Sequence, residues 1–234
     1  MTSERRSSKP ADALTDEDFD SLMPPAARKV SRVFWTSVAV ARRAALLLEQ
    51  LGVRRVLDLG SGPGKFCIVA GARAPRLSFV GVEHRRPLVE AAQDAARQLG
   101  LSNVSFSVGD ATRVSWRGFD AFYAYNSFAE NEFVAEDQFD QTVELSRERH
   151  VAEARRLARG LEAAPVGTIL VTYHPLSGPI PGSYDMVHLE AAGSGWLRLW
   201  RKGVAPARDR FWLEEGADVK GWFAMPRKRD NDVS

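Results

Sequence analysis

The sequence predicts an α/β fold: a three-layer domain on a mostly parallel sheet, with an antiparallel hairpin at one edge. Three observations carry this expectation. Short apolar strands alternate with helical segments through most of the chain, and alternation of that kind pairs strands in parallel through right-handed crossovers. A glycine-rich turn follows directly on the first strand, at Gly60-Ser61-Gly62-Pro63-Gly64. Two apolar stretches near the C-terminus flank Ala192-Gly193-Ser194-Gly195, which is a hairpin signal.

The chain has 234 residues, 44% of them hydrophobic and 26% charged, which suits one soluble domain with small additions. Residues 1–11 are polar and read as a disordered lead-in. Thr15 precedes Asp16, Glu17 and Asp18, and a capping hydroxyl with acids in the first turn predicts a short helix. Pro24-Pro25 ends it, so 12–36 form an N-terminal helical extension. The main domain covers 37–225, and 226–234 read as a tail.

Val38, Ala41, Ala45 and Leu48 recur at helical spacing over 37–50, and Gly52 suits the helix end. Strands are predicted at 55–59, 77–82, 104–108, 119–125 and 168–173. A helix with proline in its first turn spans 87–99. A longer one spans about 137–161, with Phe139, Val143, Ala154, Leu157 and Leu161 on one stripe. The late hairpin pairs 184–189 with 196–200, and Phe211-Trp212-Leu213 reads as a further edge strand or an extension.

Charge and cysteine usage exclude several classes. There are 32 basic and 30 acidic residues, not the clustered basic excess of a nucleic-acid binder. Cys67 is the single cysteine and lies in the apolar run Phe66-Cys67-Ile68-Val69-Ala70, so it reads as a small buried hydrophobe. No apolar stretch approaches the ~18 residues of a membrane span, and the first residues lack a signal peptide's apolar segment. A cytoplasmic protein with no membrane partner is expected.

The chemistry begins at Asp58 and the glycines. Glycine lets the backbone turn sharply and approach a ligand where a side chain would clash. The spacing is Gly-x-Gly-x-Gly, which favours a ligand pressed on the loop over a pyrophosphate at a helix end. Glu83 closes the second strand, 19 residues after Gly64, where a carboxylate can accept both hydroxyls of a ribose. Asp110 follows the third strand in Gly109-Asp110-Ala111, where an acid can accept an adenine amino group.

The ordered set Val56-Leu57-Asp58-Leu59-Gly60-Ser61-Gly62-Pro63-Gly64, then Glu83, then Gly109-Asp110-Ala111 resembles the class I (seven-strand, Rossmann-like) S-adenosylmethionine-dependent methyltransferases. The resemblance covers about 37–200, late hairpin included. It implies S-adenosyl-L-methionine as cofactor, with Asp58, Gly60, Ser61, Gly62 and Gly64 around its methionine part. It implies Glu83 at the ribose, and Asp110 with Ala111 at the adenine. It also implies a lid in the segment before the first long helix, at Trp35-Thr36-Ser37-Val38, which a hydrophobic staple and cap explain equally well.

At the fourth strand end, Asn126-Ser127-Phe128 is similar to the Asn-Asn-Phe motif of the seven-strand protein-lysine methyltransferases, with Ser127 replacing the middle residue. The Asn126 carbonyl can accept a hydrogen bond from an incoming amine and keep its lone pair aimed at the methyl group. Asn126 is therefore the candidate catalytic residue, and a cap on the next turn is its competing role. Tyr123, Tyr125, Phe128 and Tyr173 can line a dry acceptor channel, although at least one of Tyr123 and Tyr125 is expected in the core. His174 lies on the same rim as a weaker candidate base, whereas His84, His150 and His188 read as structural. No metal is expected, because Asn126 stands where metal-dependent O-methylation wants a carboxylate and Glu130 lies too far along. The acceptor is a protein lysine or a small molecule taking methyl on oxygen or nitrogen. A non-catalytic cofactor-binding module that meets a partner protein is the reading from another class.

Overall fold

The computed structural model describes residues 10–28, 31, 35–125, 146–174, 176, 178–204 and 211–212. Asn126, Ser127, Phe128 and Glu130 lie outside the described residues. So do most of the expected lead-in, residues 137–145 of the expected long helix with Phe139 and Val143, Leu213, and the tail; Ser146 caps that helix, which starts at Arg147 and not at about 137.

Helix α1 (Asp16–Leu22) starts as its sequence dictates, with a capping box. The Thr15 hydroxyl accepts from the Asp18 backbone N–H at 3.2 Å, and the Asp18 carboxylate accepts from the Thr15 N–H at 2.7 Å. The two prolines divide the work: α1 stops before Pro24, and Pro25 opens the single turn α2 (Pro25–Arg28). Ser37 caps α3 (Val38–Gln50). The Asp16 carboxylate accepts from the Val38 N–H at 3.0 Å, which adds negative charge where the α3 dipole favours it.

Seven strands form one sheet in the order β3-β2-β1-β4-β5-β8-β7. They are β1 (Arg55–Leu59), β2 (Ser78–Glu83), β3 (Val104–Val108), β4 (Ala121–Tyr125), β5 (Ile169–Tyr173), β7 (Tyr184–Ala192) and β8 (Gly195–Lys202). The first five are parallel, while β8 runs antiparallel to β5 and β7 to β8. The α/β fold with its antiparallel edge is therefore as expected. Three strands start a residue or two later than their apolar runs, and the hairpin is longer, with only Gly193-Ser194 between its strands. Phe211–Trp212 (β9) does not extend the main sheet. It pairs with the short β6 (Ile180–Pro181) in a second, two-stranded sheet.

Alternation along the strands sorts the cores. Val56, Phe79, Ala121, Tyr123, Val171 and Leu199 face α3, α4 (Lys65–Arg73) and α5 (Arg86–Gln98). Leu57, Leu59, Phe122, Ala124, Leu170 and Trp200 share the other face with Leu157 and Leu161 of α6 (Arg147–Ala163). Three layers result. The buried Lys202 closes the end of α6, its Nζ donating to the Glu162 carbonyl at 2.7 Å and the Leu161 carbonyl at 3.3 Å. Carbonyls of the last turn lack the regular helical partner, and the Leu161 carbonyl also accepts from the Ala164 N–H at 3.2 Å. Cys67 is buried as expected.

Candidate functional site

The chain leaves β1 for β2 and β3 on one side and returns to β4 on the other. The carboxyl ends of β1 and β4 are thus the switch point of the sheet, where open α/β folds leave a crevice. A cleft of about 290 Å³ opens there. Asp58, Gly60, Ser61 and Pro63 line one side and Tyr123 and Tyr125 of β4 another, with Lys65 and Phe66 at the start of α4. Trp35 and Thr36 complete the wall from the N-terminal extension.

The glycine turn is folded over β2. The Gly60 and Ser61 N–H groups both donate to the Val82 carbonyl at 3.0 Å, and Gly64 N–H returns to the Ser61 carbonyl at 2.9 Å. Gly64 caps α4 in the left-handed region, at φ +79°, and a Cβ there would sit 2.5 Å from the Phe106 ring. Gly81 of β2 is equally constrained by space: a Cβ on it would meet Ser61 Oγ at 2.6 Å.

Asp58 is buried beneath this turn, 3% exposed, with the Cys67 Sγ–H donating to its Oδ2 at 3.4 Å. Burial raises its pKa from 3.8 to about 7; the Cys67 contact pulls it back and the Glu83 charge adds to the rise. Ser61 Oγ is buried and has no hydrogen-bond partner among the described residues. Both residues line the cleft, while Ser61 Oγ itself lies against Gly81 of β2.

Glu83 lies beside the turn, 6% exposed. Its Oε2 accepts from the Gly62 N–H at 3.1 Å and its Oε1 from the Arg85 N–H at 2.9 Å. Each oxygen keeps a lone pair, so the carboxylate both braces the turn and can still accept from a ligand hydroxyl.

Asp110 and Ala111 adjoin Glu83 through the Gly109 N–H bond to the Glu83 carbonyl, 2.9 Å, but do not line the cleft. Asp110 Oδ1 is taken by the Thr112 N–H at 2.8 Å and Oγ1–H at 2.6 Å, and its Oδ2 pairs with Arg113 at 3.1 Å and Arg156 at 3.5 Å. Burial alone would raise its pKa; the Thr112 bonds and the two guanidinium groups outweigh it and hold the carboxyl below its ordinary value.

The aromatic residues divide. Tyr123 is core, stacked on Phe66 with centroids 3.6 Å apart and its hydroxyl 2.8 Å from Thr36 Oγ1. Tyr125 shares that face, being two residues further along, but stands half-buried at the rim. Its ring centroid is 5.3 Å from that of Tyr173 and 5.5 Å from that of His174. Burial pushes the Tyr125 pKa up to about 12. His174 is the only described non-glycine residue at positive φ, +62°. Burial, with Arg198, lowers its pKa, which favours the neutral ring.

The other histidines are not at the cleft. His188 bonds Glu190 at 3.0 Å, His150 is buried on α6, and His84 lies 3.6 Å from Glu83. Lys65 was not anticipated, although a lone cation heading the apolar run 66–70 was its signal. Among the described residues, no group of three His, Cys, Asp or Glu side chains could hold a metal ion, and no helix is long and apolar enough to cross a membrane.

Residues 53–152 match the family model of a methyltransferase domain. A tRNA (guanine-N(7)-)-methyltransferase of Synechococcus sp. (strain JA-3-3Ab) is 46% identical over 58 residues, 25% of either chain. Another, from Microcystis aeruginosa, is 41% identical over 54 residues, covering 23% of this chain and 26% of that protein. The chain thus spans about a quarter of the length of the curated relatives it matches. Among solved structures, an RNA methyltransferase from Salinibacter ruber in complex with S-adenosyl-L-homocysteine superposes with a TM-score of 0.52 at 20% identity. The superposition covers 77% of this chain and 99% of that one. At that identity the likeness is one of fold. The strand order, the glycine turn beneath which Asp58 is buried, and the methyltransferase-domain model matched over residues 53–152 agree on a seven-strand, Rossmann-like fold similar to that of the class I S-adenosylmethionine-dependent methyltransferases.

Proposed function

We propose that the chain transfers the methyl group of S-adenosylmethionine to a nitrogen nucleophile brought to the rim between Tyr125 and His174. The observation that carries this reading is the cleft floor, where a buried carboxylate, Asp58, lies beside a turn whose Gly60, Gly62 and Gly64 all take the left-handed region. Those groups fit a polar, cationic ligand end. Asp58 and the turn of Gly60, Ser61, Gly62 and Gly64 would hold the methionine part, Glu83 the ribose, and Asp110 with Ala111 the adenine end. When bound, the cofactor supplies an intrinsically electrophilic methyl group, so the protein's task is alignment and exclusion of water.

Glu83→Ala tests the ribose assignment. Losing a charged acceptor should weaken S-adenosylhomocysteine binding by ~1.5–3 kcal/mol, read by calorimetry on a variant that still unfolds cooperatively. An unchanged dissociation constant would reduce Glu83 to a brace for the turn.

For the acceptor we favour a protein lysine amine. A channel beside the half-buried Tyr125 that excludes water would disfavour a charged ammonium by desolvation and so encourage the neutral, nucleophilic amine. Asn126, next in the chain after Tyr125, would orient it. Asn126→Ala should then lower turnover by roughly tenfold to a thousandfold while cofactor affinity holds. Equal loss of both would move Asn126 into the cofactor shell.

A second reading has its own support. The curated relatives are tRNA (guanine-N(7)-)-methyltransferases, so a ring nitrogen in RNA is the competing acceptor, against the near-neutral charge balance. Incubating the chain and cell lysate with methyl-labelled S-adenosylmethionine, then separating protein, RNA and small molecules, decides between them. Label in protein supports the lysine reading, and label in RNA or in small molecules replaces it. No label anywhere, with S-adenosylhomocysteine binding intact, would make the chain a cofactor-binding module.

A further inference from the structure

Lys65 follows Gly64 directly and opens α4, yet its side chain is only 4% exposed. It reaches away from the glycine turn into the N-terminal extension. Its Nζ lies 2.8 Å from Asp16 Oδ1 and 3.0 Å from Asp20 Oδ1, one helical turn apart on α1. The same Nζ stands 5.3 Å from the Phe19 ring centroid and 5.7 Å from that of Trp35. Those two rings meet edge to face at 6.0 Å. Two carboxylates and two aromatic faces of the extension thus converge on one cation whose backbone belongs to the glycine turn.

The extension is otherwise held by apolar burial of Leu14, Phe19 and Met23, and by backbone-directed bonds from Arg42 to the Leu14 carbonyl at 2.8 Å and from Val38 to Asp16. It contributes Trp35 and Thr36 to the cleft wall, which Asp58 and Ser61 of the turn also line. A ligand seated in the cleft is therefore flanked by the turn on one side and the extension on the other, with Lys65 joining the two.

We infer that Lys65 is a positioning residue that latches the N-terminal extension across the cofactor cleft, so that the rate at which cofactor leaves is set by this ion-pair cluster. The inference rests on the reading that the cleft takes S-adenosylmethionine. Removing the cation leaves two carboxylates without their partner beside two aromatic rings, an arrangement that favours separation of α1 from the turn. Contacts that close over a bound ligand act chiefly on dissociation.

The test measures S-adenosylhomocysteine association and dissociation by stopped-flow tryptophan fluorescence on the full chain, for wild type, Lys65→Met and Asp20→Asn. The second variant lies on the extension, does not line the cleft, and keeps the test available should Lys65→Met fail to fold. Dissociation faster by about tenfold in Lys65→Met and several-fold in Asp20→Asn, with association unchanged or faster, supports the latch. Limited proteolysis should then cut within 10–28 sooner in both variants. Wild-type dissociation rates in the folded variants overturn the latch and leave the cofactor reading standing. A loss confined to association overturns it too, making Lys65 a direct steering contact. Failure of the wild type to bind S-adenosylhomocysteine at all would instead remove the cofactor reading on which the latch depends.

Discussion

Gly64→Ala is expected to destabilise the fold by several kcal/mol and to abolish cofactor binding, whereas Gly60→Ala, four residues earlier, should cost much less. Both glycines lie in the left-handed region, at φ +79° and +81°. An alanine at either position pays a backbone strain of about 1–3 kcal/mol. Their surroundings differ. A Cβ at Gly60 meets nothing within 4 Å, whereas one at Gly64 would stand 2.5 Å from two atoms of the Phe106 ring and 2.9 Å from Ala92 Cβ. Phe106 is itself 8% exposed and packed in the core with Ala92, so it cannot swing into solvent, and overpacking adds about 1–3 kcal/mol more. Chemical denaturation of the two variants side by side separates the terms. Equal destabilisation would mean that the ring yields and only the backbone matters. Gly60→Asn is a useful companion, since asparagine tolerates the left-handed region better than alanine.

The same contrast explains how much was legible in the sequence. The turn, the capped starts of α1 and α3, and the late hairpin are local signals, each complete within a few residues, and each is where the sequence puts it. Strand limits are less local. Phe119 is apolar but precedes β4, whose pairing with β1 and β5 starts at Ala121. β7 continues past Leu189 because Glu190, Ala191 and Ala192 pair through their backbones with β8. Contacts between distant segments were not legible at all. Lys65 meets Asp20 across 45 positions, and Asp110 meets Arg156 across 46; neither pairing has a spacing that periodicity could reveal. Asp110 is thus an acid just past a strand end whose Thr112 and Arg113 partners are local, while Arg156 is supplied by the fold.

Asp58→Asn should stabilise the cofactor-free protein at neutral pH and remove a pH dependence that the wild type carries. Burial holds the Asp58 pKa near 7 in the folded chain against an ordinary 3.8, so between about pH 4 and 7 the folded state binds a proton that the unfolded state has released. Stability contributed by this proton is therefore complete below pH 4, falls as pH rises to about 7, and changes no further above it. Each pH unit is worth ~1.4 kcal/mol, so the whole window amounts to about 4 kcal/mol. Asparagine keeps the shape and a carbonyl oxygen for the Cys67 thiol without a charge to desolvate. Asp110 and Glu190, whose pKa values are lowered, act in the opposite sense, losing stability as pH falls, but they are common to both proteins and cancel in the difference. Unfolding free energies of wild type and Asp58→Asn, measured from pH 4 to 8, should therefore diverge steadily up to pH 7 and run parallel beyond it. Parallel curves throughout would show that Asp58 is ionised in the folded protein at low cost. With cofactor present the order should reverse, because a cationic ligand stabilises the ionised carboxylate and expels its proton. Below pH 7 wild-type binding should then release a proton to the buffer, visible as a calorimetric enthalpy that depends on the buffer's ionisation heat. The asparagine variant, having no such proton, should bind more weakly and with one enthalpy in every buffer.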